Sequence, residues 1–300
     1  MMLMVGGSGV LGRQVTRELL SRGERVRVFT RTPAKVEDLK RLGAAVVVGD
    51  LIDAASIERA CQGASHVFAA AHSLIGDGRY RSAAVDDAGH RKLVDAARAA
   101  GVRHFVYTSV LGAAPGHPVD FWRTKYHVEE YLKASGLTYT ILRPSAFMEW
   151  HAHVFNGQPL LEKGNAMLLG RGTKLRNFVA VRDVAEFAVL ALTGPALKNR
   201  TLEIGGPGNF SNRQVSELYA RLAGLTPTIR HVPPGVLNVM GRLLKPFKPG
   251  ISRLLLLSSL PDDAFDEQFD AAALLAEFPR ELTTLEAFVR ERLAERALRR

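Results

Sequence analysis

The sequence predicts an α/β fold, a doubly wound parallel sheet with helices on both faces, followed by a smaller C-terminal lobe. Three observations predict it. Short β-branched or apolar runs alternate with longer helical patterns through the first half of the chain. A glycine-rich turn joins the first run to the first helix. After Pro144 the rhythm changes, and Gly and Pro punctuate the chain at 205–208 and again at 233–235.

The elements are expected in the following order. A first strand at 3–5 ends at Gly6. Leu11, Val15 and Leu19 repeat every four residues, so 10–22 reads as a helix with one buried stripe, and Gly23 supplies a left-handed cap. Strands at 26–29, 45–48, 66–69, 105–108 and 139–142 alternate with helices near 34–41, 54–62, 84–100 and 121–135. Beyond Pro144, 178–181 and 201–204 read as strands around a helix from 183 to about 192. The chain from Thr283 to its end reads as a closing amphipathic helix. The expected organisation is a sheet domain over 1–145 and a substrate lobe over 146–300, whose late strands and helices complete the fold. No solenoid-spaced repeat or low-complexity segment is present.

Composition bounds the function classes. With 300 residues and 47% hydrophobic content, the chain buries one large core, or a core and a subdomain. Its 23% of charged residues excludes wholesale disorder. Cys61 is the single cysteine, so no intrachain disulfide forms, which fits a reducing compartment. The residue reads either as a small buried apolar group or as a reactive thiol. The chain opens almost directly on its glycine-rich turn, without a signal-peptide pattern, and no run reaches the roughly 18–20 apolar residues of a membrane span. A soluble, cytoplasmic protein is the expectation.

The net charge of +10 is unevenly spread. Between Arg221 and Pro261 there is no acidic residue, while Arg221, Arg230, Arg242, Lys245, Lys248 and Arg253 are basic. Such a stretch is either a solvated face or an attractor of phosphates and acidic lipids. Aromatic residues are not interleaved with the basic ones, so nucleic acid is not an expected partner. Leu243-Leu244 and the four leucines at 254–257 lie among these cations, which suggests peripheral contact of 221–261 with an anionic membrane or a protein.

The glycine-rich turn reads Gly6-Gly7-Ser8-Gly9-Val10-Leu11-Gly12-Arg13. Without side chains, this backbone comes close to a diphosphate, and the N–H groups at the helix start favour its charge. Gly12 lets the helix pack close to the sheet. The turn follows a strand, opens a helix and lies inside a βαβ unit, which is the context of a Rossmann-type dinucleotide site. Folds specific for NAD place an acid at the end of the second strand, whereas this chain has Thr30-Arg31 there, with Lys35 close behind. The planar guanidinium of Arg31 suits a 2′-phosphate, so NADP(H) is the expected cofactor over NAD(H). Ser8 and Arg13 are the companion candidates for the adenosine phosphates.

Together with that turn, several segments occur in order: Gly49-Asp50-Leu51, Tyr107-Thr108-Ser109, Lys125 with Glu129, and Tyr139-Thr140-Ile141-Leu142-Arg143-Pro144. Asp183-Val184-Ala185 and Glu203-Ile204-Gly205-Gly206-Pro207 come later. In these the chain resembles the atypical short-chain dehydrogenase/reductase superfamily, most of all its NmrA-like branch, over about residues 3 to 220. The resemblance implies that Asp50, with Leu51, caps the adenine, that residues 69–71 around Ala70 line the adenosine side, and that Pro144 sits near the nicotinamide. Asp50 reads equally as an N-cap for the helix after it, and Pro144 as a strand terminator.

The redox-active pattern of this superfamily uses a Ser and a Tyr-x-x-x-Lys pair. Here Ser109 is followed twelve residues later by Phe121, and then by Lys125. Phenylalanine has no proton to give, so the usual general acid is missing. Tyr126 does not share a helix face with Lys125. Lys125 therefore acts as acid or polarising cation, a role that the isoflavone-reductase-like relatives suggest, or it only anchors the ribose. Ser109 serves the substrate or caps backbone. His151 and His153 lie near Glu149 but lack a third ligand at useful spacing, and no metal site is expected. Phe147, Met148 and Trp150 form either an apolar substrate wall or core. The leading reading is an NADP(H)-binding oxidoreductase acting on a small organic molecule. The alternatives are a cofactor-sensing regulator or assembly factor without turnover and a nucleotide-sugar epimerase-like enzyme.

Overall fold

The computed structural model describes residues 1–298. Its first half runs β1 (Met2–Val5), α1 (Val10–Ser21), β2 (Val26–Thr30), α2 (Glu37–Arg41), β3 (Ala45–Val48), α3 (Ala54–Cys61) and β4 (His66–Ala69). Then come α4 (His90–Ala99), β5 (His104–Thr108), α5 (Asp120–Lys133), β6 (Tyr139–Pro144), β7 (Ala146–Phe147), α6 (Gln158–Lys163), β8 (Asn165–Leu169) and β9 (Arg176–Val179). The remainder is α7 (Val181–Thr193), β10 (Arg200–Ile204), β11 (Asn209–Phe210), α8 (Asn212–Ala223), β12 (Thr228–Val232), α9 (Pro234–Leu244), α10 (Pro249–Ser259), α11 (Ala272–Glu277) and α12 (Leu285–Leu298).

Seven strands form one sheet in the order β10-β6-β5-β4-β1-β2-β3, and β1 to β6 pair in parallel. The order reverses beside β1, which pairs with β2 on one side and β4 on the other. In open parallel sheets this reversal leaves a crevice at the carboxyl ends of the strands, and ligands bind there. The inner strands β1 and β5 are buried along their whole length, as crossover helices require, and Leu3, Val5, Val67, Phe105, Tyr107 and Ile141 belong to one core, while the edge strand β3 is exposed at Ala45 and Val48.

The chain divides into two compact units. The first comprises Met1–Arg143 and Val184–Leu202, so the body of α7 returns to the sheet. The second comprises Pro144–Asp183 and the chain from Glu203 onward. It has its own core around Met148, Phe178, Tyr219 and Phe288, and two small sheets, β11-β9-β7 and β12-β8. Among the described residues, no helix is long and apolar enough to cross a membrane.

Several boundaries differ from expectation. The helix expected at 34–41 starts as a 3-10 turn at Pro33–Val36, with Pro33 in its first turn, and becomes α-helical at Glu37. The helix expected at 84–100 begins with a π-helical segment, Ala83–Gly89, before α4. The strand expected at 178–181 ends at Val179, because the Glu149 carboxylate accepts the Val181 N–H at 3.1 Å and starts α7 there. The closing helix is α12, and the part expected at 299–300 lies outside the described residues.

Buried polar groups pin both units. Asn177 is buried, and its Oδ1 accepts from Ser145 Oγ at 2.7 Å and from the Gly206 N–H at 2.7 Å. Its Nδ2 donates to the carbonyls of Gly206 and Gly208 and to Asn209 Oδ1. A Cβ on Gly206 would lie 2.0 Å from the Phe178 carbonyl oxygen, so the backbone is fixed there by contact as well. In the sheet, Thr140 Oγ1 donates to the Leu197 carbonyl and therefore accepts from His104 Nε2–H at 2.9 Å, which sets the tautomer of that imidazole.

Asn177→Leu keeps the branched shape but strands an N–H and two carbonyls. It is expected to lower the stability of the protein by about 2–4 kcal/mol in urea unfolding, and a loss under about 1 kcal/mol would remove Asn177 as a structural hub. Burial pushes the imidazoles of His90 and His104 down from 6.5 to about 4. Unfolded, each takes a proton near pH 6.5, whereas folded it resists until about pH 4. Their stabilisation is thus complete above pH 6.5 and lost as pH falls toward 4. The urea midpoint is expected to drop between pH 7 and pH 5, less steeply in His104→Gln, and an unchanged slope in that variant would refute the assignment.

Candidate functional site

The glycine loop takes its shape from two approaches that only hydrogen permits. Gly6 leaves β1 at φ +94°, and a Cβ there would lie 2.5 Å from the Ala71 nitrogen, against the chain leaving β4. Its carbonyl accepts the Gly9 N–H at 2.9 Å. A Cβ on Gly12 would lie 2.2 Å from that same carbonyl oxygen, so α1 starts against the loop itself. Gly9 caps α1 without a side-chain hydrogen bond, and the first turn carries no acid. Val10 and Leu11 begin this turn, Val10 exposed and Leu11 buried, while Ser8 is half-buried on the loop. The result is a bare backbone cradle whose first-turn N–H groups can hold an anion.

The two expected phosphate-binding arginines have different surroundings. Arg13 Nη1 pairs with both carboxylate oxygens of Asp38 at 2.5 Å, and its Nη2 donates to the Lys35 carbonyl. Arg13 and Arg17 together hold the Asp38 carboxyl well below the usual range, so this contact persists at any physiological pH. Arg31, at the end of β2, is exposed, and its guanidinium lies over the Tyr80 ring at 4.3 Å. Arg79 approaches the same ring at 5.1 Å, and Lys35 is exposed in the turn after β2. The aromatic partner Tyr80 and the second arginine were invisible in the sequence, which gives no cue that the loop after β4 faces the end of β2.

Asp50 and Leu51 follow β3. Asp50 Oδ1 accepts from the Ile52 N–H at 3.3 Å, and Leu51 is buried. The N-cap of α3 is Asp53, whose Oδ1 accepts the Ala55 N–H at 3.2 Å, so the alternative of Asp50 as that cap is corrected. The Ala70 N–H donates to the Val5 carbonyl at 2.8 Å, which draws the chain after β4 alongside the glycine loop.

A polar cluster lies at the carboxyl end of β5. Phe121 and Lys125 stand one turn apart on the buried face of α5. Lys125 Nζ donates to the Thr108 carbonyl at 3.1 Å and lies 4.9 Å from the Tyr107 ring centre and 5.5 Å from that of Phe121. Burial pushes the lysine pKa down, while Asp86 and Glu129 pull it up. Asp86 is fully buried in the π-helical segment and accepts the Ser73 N–H at 3.0 Å. Glu129, also fully buried, is bridged by Arg143 at 3.0 and 2.6 Å. Tyr126 is half-buried and packs on His127, away from this face.

Four polar atoms here have no protein partner: the hydroxyls of Tyr107, Thr108 and Ser109, and His90 Nε2. Leaving a buried hydroxyl unpaired costs about 1–3 kcal/mol, which a polar ligand recovers. His72 completes the surroundings. It is exposed on the chain after β4, with its ring edge-on to Phe121 at 6.4 Å between centres. Surrounding protein and then Lys125 hold its pKa below 6.5, against the pull of Asp86. His72 and Asp86 belong to no spaced motif, so nothing in the chain's pattern marks them.

Cradle, basic end and orphaned hydroxyls all belong to the first unit, and the donor set fits a dinucleotide: an anion on the loop, a further phosphate at Arg31, and a ribose or amide at Lys125. The other candidates lie elsewhere. Pro144 is buried at the end of β6, where the second unit begins. In that unit Met148 is core, Phe147 is half-buried and Trp150 is exposed beside Phe155. His153 Nδ1 is 3.0 Å from the Tyr219 hydroxyl, and among the described residues no three His, Cys, Asp or Glu groups are placed to hold a metal. Cys61 is buried in the core, which pushes its thiol up to about 12 and leaves it inert as a nucleophile.

Comparison with known proteins agrees with this chemistry. The NAD(P)H-binding family matches residues 6–195. The Photosystem II assembly factor Ycf39 of Guillardia theta is 29% identical over 97% of this chain and 93% of that protein. The NAD(P)H azoreductase of Xenophilus azovorans is 31% identical over 75% of this chain and 74% of its own length. Among solved structures, an NADPH-dependent quinone oxidoreductase of Escherichia coli complexed with NADPH shares the fold at a TM-score of 0.77 and 23% identity, covering 98% of this chain and 100% of that one. The chain belongs to the NAD(P)H-binding family, within the atypical short-chain dehydrogenase/reductase superfamily that its motifs resemble.

Proposed function

We propose that the protein is an NADP(H)-preferring reductase that passes hydride to a small organic acceptor. The observation that carries this reading is the buried Lys125 beside the orphaned Thr108 and Ser109 hydroxyls at the carboxyl end of β5. Similarity to an NAD(P)H azoreductase, and a fold shared with an NADPH-dependent quinone oxidoreductase, support it. In this reading the amides of Gly6 to Gly12, with Ser8, hold the diphosphate. Arg31 takes the 2′-phosphate with Lys35 and Arg79 at hand, and Asp50, Leu51 and Ala70 line the adenosine. Arg13, braced by Asp38, positions the start of α1 and adds positive potential.

A bound reduced nicotinamide supplies the hydride. Lys125 anchors the ribose, and its ammonium stabilises negative charge growing on the acceptor oxygen. The Ser109 hydroxyl donates to the same oxygen. Because Phe121 cannot give a proton, the exposed His72 at its ring edge delivers one, so that hydride and proton together balance the two-electron reduction. A second reading is favoured by one observation, Phe121 itself: a cofactor-sensing assembly factor or regulator that binds NADP(H) without turnover. Similarity to Ycf39 supports that reading.

Arg31→Ala is expected to weaken NADPH binding roughly tenfold or more in calorimetry and to leave NADH affinity unchanged, since one charge-assisted phosphate contact is lost. Equal losses for both cofactors, or tighter NADH binding in the native chain, would end the NADP(H) preference. Single-turnover NADPH oxidation with quinones, enones and aldehydes separates the two readings. The reductase reading expects turnover that Lys125→Ala abolishes. It also expects kcat/KM to rise as pH falls, with a midpoint below 6.5, and to become flat in His72→Gln. Tight NADPH binding with no oxidation across the panel establishes the sensor instead.

A further inference from the structure

The acid-free stretch identified in the sequence folds as a helical hairpin in the second unit. Helix α9 packs on α10 through Leu237, Gly241 and Leu255, which are buried. A Cβ on Gly241 would meet the Leu256 side chain at 2.8 Å, so the helices touch closely, and Asn238 Nδ2 donates to Ser259 Oγ at 3.4 Å. With this contact made on one side, α9 turns a second apolar face to solvent. Val236, Val239, Met240 and Leu243 follow the i, i+3, i+4, i+7 spacing of a single stripe, and all four are exposed. Phe247 continues the stripe at the hairpin tip, 77% exposed, and Ile251 is exposed on the first turn of α10. Arg242, Lys245 and Lys248 are exposed around that tip.

We propose that this hairpin is a docking surface for an anionic lipid bilayer. The ridge from Val236 to Phe247 enters the headgroup and upper acyl region, while Arg242, Lys245 and Lys248 meet lipid phosphates. Charge complementarity selects this occupant: no acid lies between Arg221 and Pro261 to repel lipid phosphates. A second copy of the chain fits poorly, because a two-fold contact at the tip would set the same cations against one another. Protein interfaces are also depleted in lysine, whereas Lys245 and Lys248 lie at the tip of this hairpin. Each helix has 11 residues, about 16 Å, so the hairpin lies in the interface and does not span it.

The test is flotation of the full chain with phosphatidylcholine vesicles, with and without about one-third phosphatidylglycerol. Binding to the anionic vesicles is expected at low salt, strongly weakened at about 0.5 M salt, with little binding to the neutral ones. Each of Arg242→Ala and Lys245→Ala should weaken partition roughly fivefold. Leu243→Glu with Phe247→Glu should abolish it at an unchanged urea midpoint, since both side chains are already in water. Phe247→Trp should show a blue-shifted emission on the anionic vesicles. No flotation at low salt, equal flotation on neutral vesicles, or flotation that survives the double glutamate variant overturns the proposal. So does a solution dimer that the double variant dissociates.

Discussion

The contact of bare backbone at Gly6 and Gly12 is the constraint on which the rest of the first unit depends. The Gly6 carbonyl lies where any Cβ at position 12 would be, and Gly6 itself lies against the backbone at Ala71. Three segments therefore converge with no side chain between them: the end of β1, the start of α1 and the chain after β4. This convergence lets α1 pack on β1 and β2 and aims its unbonded first-turn N–H groups past the sheet edge. It also brings the chain carrying His72 and Ser73 back over the switch point. One steric fact thus sets both the anion cradle and the approach of the groups that surround Lys125.

Around Lys125 the electrostatics are arranged in advance. A buried ammonium loses its hydration, which pulls the Lys125 pKa down, and two buried carboxylates pull it the other way. Glu129 is itself held by Arg143 and Asp86 by a backbone amide, so neither collapses onto the lysine. His90 lies close to the same cation, and burial keeps it neutral down to about pH 4, so no second positive charge competes at working pH. The unpaired hydroxyls of Thr108 and Ser109 then leave hydrogen-bonding capacity directed at a ligand. A site kept polar inside a dry core is costly to fold and inexpensive to operate, because little reorganises when charge develops.

Much of this architecture was legible in the sequence. The alternation of strands and helices through Leu142, the glycine spacing and the pairing of Phe121 with Lys125 on one helix face all follow from local periodicity, which the chain states directly. What was not legible depends on long-range convergence. Tyr80 meets Arg31, and His72 meets Phe121, across 49 residues in each case, and no spacing rule reports such pairs. Asp38 falls within the helix expected at 34–41, where no local pattern marks it as the partner of Arg13, a residue expected to serve a phosphate. The second unit was harder still. Its β7-β9-β11 sheet is built from strands of two to four residues, too short for periodicity to show, and the side chain of Asn177 ties them together.

The phenylalanine at position 121 bears on which acceptors suit this site. A phenol there would place an acid on the same helix face as Lys125, whereas Phe121 leaves an apolar ring whose nearest titratable neighbour outside the core is His72. Reduction of a simple aldehyde builds an alkoxide, a strong base, and needs its proton as the hydride arrives. A quinone instead yields an oxyanion stabilised by the aromatic ring it forms, a far weaker base that an ammonium and a hydroxyl can hold until solvent or an imidazole protonates it. In the proposed reductase Lys125 and Ser109 supply that electrostatic hold, and His72 supplies the proton. On the proposed reading, the residues at the end of β5 suit acceptors whose reduced form tolerates negative charge better than they suit simple aldehydes.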